Sequence, residues 1–184
     1  MADSNITKRA LASALKELLE ETSFKRISVA DICERCEMNR KSFYYHFRDK
    51  YDLIIWIFDT ETAAILQKRR VSDRWNVVEL ICHYLYSNRN FYYKAFQIQG
   101  QNSLSEHFRE LLLPPLQERM AEVIGPGDVH QIGANFFADG IVCAILRWLL
   151  DKDCIPPEQF ISIIRKVVES TELIVYEDIS KDAQ

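Results

Sequence analysis

Ile27-Ser-Val-Ala-Asp-Ile-Cys-Glu-Arg-Cys-Glu-Met-Asn-Arg-Lys-Ser-Phe-Tyr-Tyr-His-Phe-Arg-Asp-Lys50 reads as helix, tight turn, helix. Ser28 with Asp31 three residues on has the pattern of a capping box, the shorter Asp standing in for Glu, so a helix should start there. Its inner face is Val29, Ile32, Cys33 and Cys36. Asn39 is a good N-cap for a short helix through Phe47. Only Glu37 to Asn39 remain for the turn, as a helix-turn-helix requires.

At 100° per residue, Phe43 and Phe47 fall on one side of the 39–47 helix and must pack inward. Lys41, Ser42 and Tyr45 fall opposite, with Tyr44 at the edge. A cation, a hydroxyl and two rings on one short outward face suit a major groove. There Lys or Arg reaches guanine and apolar groups meet the thymine methyl. Ser28 and Lys50 offer hydroxyl and ammonium donors to phosphates. On periodicity alone, an ordinary three-helix corner with an aromatic surface remains open.

Working outward, helical periodicity runs through the chain. Ala10, Leu11, Ala14, Leu15, Leu18 and Leu19 predict a first helix over residues 5–22. Asp49 with Asp52 predicts a fourth helix reaching about Arg70. Further helices are expected over 74–88, after Ser72-Asp73, and over 89–99. Ser103 with Glu106 should cap the next one, and Pro114-Pro115 should kink or split it. Gly125-Pro126-Gly127 is the strongest breaker. Asp128 should then cap a helix to about Leu150. Pro156-Pro157-Glu158 should open a last helix to about Tyr176, leaving Glu177–Gln184 to fray. The expected fold is all-α: a three-helix helix-turn-helix head over 1–48, then a helical regulatory and dimerisation domain over 49–184, about nine helices in total.

The 184 residues are 48% hydrophobic and 27% charged, with net charge -4. The balance is uneven. Residues 1–50 hold ten Lys/Arg and eight Asp/Glu, whereas residues 51–184 hold thirteen and nineteen. Nucleic acid should therefore meet the N-terminal part. Five cysteines and no apolar core between Met1 and Lys8 point to free thiols and a cytoplasmic protein. The apolar run Ile141–Leu150, interrupted by Arg147, is too short to span a bilayer.

Cys33-x-x-Cys36 lacks the second pair a zinc site needs. His83, His107 and His130 show no ligand spacing. With no Gly-rich phosphate loop and no nucleophile elbow, no catalytic or metal residue, no cofactor and no enzymatic activity are expected.

Phe43-Tyr44-Tyr45-His46-Phe47 followed by Lys50-Tyr51-Asp52-Leu53 resembles the TetR family of bacterial regulators over about residues 6–55. The resemblance implies that Arg40, Lys41 and Tyr45 face bases while Ser28, Ser42, Tyr44, His46 and Lys50 hold phosphates. Asn39 belongs to the same surface. Glu37 departs from the family, which usually has Gly there. If the position needs positive φ, Glu costs of order 1 kcal/mol. Glu37 also brings a negative charge towards the DNA. Met38–Phe47 further resembles regulators that activate dihydroxyacetone-kinase operons, a subgroup thought to work with a kinase-like partner protein.

In this fold class the middle helices surround an effector pocket. Trp56, His83, Tyr84, Tyr93, Phe96 and Phe108 are the candidates for lining it, although an aromatic stripe is more often core. Phe136, Phe137, Ile141, Ile145 and Trp148 make one late stripe, and Phe160, Ile163, Ile164, Val167, Val168 and Ile174 another. Two copies could pair these as a four-helix bundle around a two-fold axis. The expected partners are double-stranded DNA, a second copy, and a small-molecule effector or a protein coactivator. The default expectation is a repressor that reads a pseudo-palindrome, and the subgroup expectation is an activator.

Overall fold

The computed structural model describes residues 2–68, 74–98, 103–125 and 127–182. Among these there are nine α-helices and no strand: α1 (Ala2–Glu21), α2 (Val29–Arg35), α3 (Arg40–His46), α4 (Lys50–Lys68), α5 (Arg74–Ser87), α6 (Arg89–Phe96), α7 (Leu104–Ile124), α8 (Asp128–Leu150) and α9 (Pro157–Asp182). A single 3-10 turn, Phe24–Arg26, precedes α2. The expected ends at Arg70 and Ser72-Asp73 lie outside the described residues.

The chain divides into two compact units, Met1–Arg70 with Asn88–Leu104 and Val71–Ser87 with Ser105–Gln184. The first is built on α1, whose stripe Leu11, Ala14, Leu15, Leu18 and Leu19 is buried, as its spacing predicts. Ile32, Phe43, Leu53 and Ile57 join it from α2, α3 and α4. Polar ties then fix the helices. Arg35 on α2 makes a bidentate bridge to Glu21 on α1, both bonds 2.8 Å. Lys16 on α1 reaches Glu61 on α4 at 2.5 Å, and the hydroxyl of buried Tyr92 on α6 donates to the same carboxylate at 3.4 Å. The Lys94 ammonium on α6 donates to the Leu19 and Glu20 carbonyls at the end of α1.

The second unit centres on Trp148 of α8. Its ring stacks on Phe160 of α9 at 4.4 Å and on Tyr86 of α5 at 5.8 Å. Its indole N–H donates to the Ile155 carbonyl at 2.8 Å, so the polar edge is satisfied within the core. The small residues Ala134 and Ala138 form the inner face of α8 with Val142, Ile145 and Leu149. At Gly133 of α8 a Cβ would come within 2.6 Å of Met120 Cε, so a side chain there would have to displace the tip of Met120 on α7. Arg109 on α7 bridges Asp139 on α8 at 2.5 Å. By length and apolarity alone α8 could cross a membrane, but it carries this buried face and a bridged carboxylate.

Three local expectations change. Pro114 and Pro115 do not split α7, which runs unbroken from Leu104 to Ile124. The two missing N–H groups deprive the Glu110 and Leu111 carbonyls of donors. Both residues are exposed, so water can serve instead. Asp128 is the first helical residue rather than the cap. The Gly127 N–H donates to His130 Nδ1 at 2.7 Å, which gives His130 a capping role. Finally, α9 continues to Asp182, beyond the end expected near Tyr176.

Candidate nucleic-acid interface

The helix-turn-helix is assembled by bonds within a few residues. The Ser28 hydroxyl accepts from Asp31 N–H at 3.2 Å, and the Asp31 carboxylate accepts from Ser28 N–H at 2.7 Å. These two bonds hold Asp31 below its usual carboxylate range. At the other end of α2, Met38 N–H donates to the Cys33 carbonyl and Glu37 N–H to the Glu34 carbonyl. This is a Schellman motif. Its left-handed residue is Glu37, at φ 55, the only non-glycine with positive φ among the described residues. The turn therefore forms with the local strain expected when Glu replaces Gly.

Asn39 starts α3. Its Oδ1 accepts from Ser42 N–H at 2.8 Å and from the Ser42 hydroxyl at 3.2 Å. Asn39 and Ser42 thus stabilise the helix start. Phe43 is fully buried, and Phe47 is buried against Trp56 of α4 at 5.7 Å. This anchoring fixes which face is outward. Arg40 and Lys41 are exposed, Tyr44 is 52% exposed and Tyr45 82%. The Arg40 guanidinium donates to the Tyr44 hydroxyl at 3.4 Å, and the Tyr45 ring meets His46 edge-on at 4.9 Å. Two large rings on a seven-residue helix thus stay largely open to solvent, touching only their neighbours on the same helix.

The ammonium of Lys50, expected on a phosphate, is engaged here within its own unit. Its ammonium donates to the Phe24 and Ile27 carbonyls at 2.7 and 2.6 Å and sits 4.3 Å from the Phe24 ring. Burial pushes its pKa down. Sequence reasoning did not single out Lys25, Arg26 or Arg48, all exposed cations of this unit. The Lys25-Arg26 dyad just before the Ser28 cap was the available signal.

The six expected pocket residues are not gathered in one unit. Trp56, Tyr93 and Phe96 belong to the first, while His83, Tyr84 and Phe108 belong to the second. Trp56 packs on Phe47, Phe96 and Phe108 are buried, and His83 lies 3.5 Å from Glu158. Of the residues expected between two copies, Ile145, Trp148 and Phe160 are already buried within one chain. Phe137, Ile141, Ile164 and Val168 are half-buried. Phe136 is 72% exposed, with Val129, Ile132, Ile163 and Val167 also exposed. Ile174 lies outside the residues whose side chains are described. The thiols of Cys33 and Cys36 are pushed up in pKa by burial, in keeping with a core position.

Residues 11–55 match the family model for "Bacterial regulatory proteins, tetR family", and residues 73–170 match a TetR model described as "Transcriptional regulator C-terminal region". The chain belongs to the TetR family. It is therefore a DNA-binding transcription regulator and not an enzyme. The HTH-type dhaKLM operon transcriptional activator DhaS of Lactococcus lactis subsp. lactis (strain IL1403) is 33% identical over 109 residues, 59% of this chain. The match spans 57% of that relative's length. Two solved structures share the fold. "Dihydroxyacetone kinase operon activator DhaS" has a TM-score of 0.60 at 22% identity, covering 92% of this chain and 97% of that one. A TetR transcriptional regulator from Streptococcus agalactiae 2603V has a TM-score of 0.68 at 16% identity, covering 91% and 96%.

Proposed function

We propose that two copies of this TetR-family chain read one pseudo-palindromic operator through α3, with Arg40, Lys41 and Tyr45 on base edges. The observation that carries this is the outward face of α3. Phe43 and Phe47 lock the helix inward, and Arg40, Lys41, Tyr44 and Tyr45 are left on its exposed side. Ser28, Tyr44 and His46 flank that face and hold phosphates. Asn39 and Ser42 set the angle of the helix start through their mutual bond. The functional division is a DNA-binding part over 1–48 and a regulatory part over 49–184, in a cytoplasmic protein.

The dimer forms through the outer faces of α8 and α9. Val129, Ile132 and Phe136 make one apolar strip, and Ile163 and Val167 another. Exposed apolar surface of this kind favours a second copy packed as a four-helix bundle. The regulator is an activator, a reading supported by the printed name of its 33%-identical relative. Its input is a protein coactivator rather than a small molecule in its own pocket. The resemblance of Met38–Phe47 to regulators of dihydroxyacetone-kinase operons, thought to work with a kinase-like partner, supports this second reading over the first.

Affinity capture of fragmented DNA from the source cell tests the function. Wild-type protein should enrich a few promoter regions, and Lys41→Ala and Tyr45→Ala should each abolish the enrichment. Enrichment that survives both substitutions would overturn the role of α3.

A further inference from the structure

We infer that Lys25 and Arg26 form a clamp on the phosphate backbone of duplex DNA, and that Lys50 acts as a positioning residue holding the clamp in place. The inference rests on the DNA-binding reading of α3. The two cations occupy the 3-10 turn Phe24–Arg26. That turn is pinned from both ends of its peptide path, because Lys50 Nζ bonds to the carbonyls of Phe24 and Ile27. The Phe24 ring is buried and meets Tyr51 edge-on at 5.0 Å. The turn is thereby fastened to the start of α4, just beyond the C-terminal end of α3. A seven-residue helix is roughly 10 Å long, comparable with a major groove about 12 Å wide. Contacts that flank a recognition helix go to the sugar-phosphate backbone, and this turn is fastened at such a flank.

Charge accounting in this unit agrees. Lys16 is bridged to Glu61, Arg35 to Glu21 and Glu17, and Arg48 lies 3.8 Å from Asp52. The nearby carboxylates are occupied as well, Glu21 by Arg35 and Asp31 by the Ser28 cap. Lys25 and Arg26 are exposed, and their side chains have no hydrogen-bond or ion-pair partner among the described residues. An ordered turn thus presents two adjacent, unneutralised cations. Unlike Lys41, they have no base edge to read.

The test measures binding of a short duplex of random sequence by fluorescence anisotropy at rising NaCl concentration. Each phosphate contact contributes about 0.9 to the slope of log K against log salt. Lys25→Ala/Arg26→Ala should flatten that slope by about 1.8 per head, with unchanged thermal stability. Lys50→Met should flatten it less or equally. Added to the double variant, Lys50→Met should change the slope no further, and Lys50→Arg should restore the single-variant loss. A wild-type slope in Lys25→Ala/Arg26→Ala would overturn the clamp. A further flattening of about 0.9 per head on adding Lys50→Met would make Lys50 itself a phosphate ligand and overturn its positioning role. If the wild-type protein fails to bind the duplex at all, the DNA reading falls and the clamp with it.

Discussion

Glu37 shows what a single residue carries in this head. Its amide completes the α2 C-terminal motif, and its φ of 55 belongs to the region where a Cβ crowds the following carbonyl. The side chain is exposed, so replacement removes no packing. Glu37→Gly should raise the unfolding free energy by up to about 1 kcal/mol, read from the urea midpoint. A lower midpoint would contradict the strain account. The departure was visible as Glu where the family has Gly, but whether the position needs a positive φ was settled only by the backbone. Lys50 was not legible in the same way. Its carbonyl partners lie 23 and 26 residues earlier, and no local pattern reports a contact over that distance. Cysteines follow burial. Cys82 is fully buried and its thiol is pushed up to about 12, whereas Cys143 is exposed. Iodoacetamide at mild alkaline pH should therefore leave Cys82 unmodified until the protein unfolds, as read by peptide mass.

At the scale of the element, the helix starts at Ser28 and Asn39 were readable because a cap spends its bonds within three residues. Asn39→Ala removes both bonds to Ser42 and should cost about 1 kcal/mol, measured by thermal unfolding. The split at Pro114-Pro115 and the Asp128 cap did not form, for a different reason. Proline splits a helix when the orphaned carbonyls are buried, and here they face water. The cap before α8 came from a histidine side chain three residues on. Acid sensitivity also belongs to the elements. Asp31 and Glu21 have folded pKa values below their ordinary 3.8 and 4.5, through the Ser28 bonds and the Arg35 guanidinium respectively. A depressed carboxylate contributes stability above its unfolded pKa and loses it as pH falls through the folded one. Stability should hold above about pH 4.5 and decline below it. Asp31→Asn should lower the plateau and shallow the decline. A decline of unchanged steepness would contradict the assignment.

For the whole molecule, periodicity marked α8 and α9 as apolar but could not say which stripe faces inward. Apolar residues stand on both sides of α8. The inner side has alanines where helices pack closely, and the outer side keeps Phe136. Trp148 and Phe160, read from sequence as dimer residues, form the aromatic stack inside one chain. The two substitutions should therefore separate. Phe136→Glu should give a folded monomer by sedimentation. Trp148→Ala should instead cost about 3–5 kcal/mol of fold stability, whatever the protein concentration. A Phe136→Glu protein that remains dimeric would contradict the outer-face interface.

In the proposed function, α3 is presented twice by a two-fold dimer and reads a specific sequence. The most direct test is selection of bound duplexes from a random pool, followed by sequencing. The account predicts an enriched motif of two inverted half-sites whose centres lie about 34 Å or a multiple apart, absent when Tyr45→Ala or Lys41→Ala protein is used. No enriched motif, or one that persists with both variants, would contradict it.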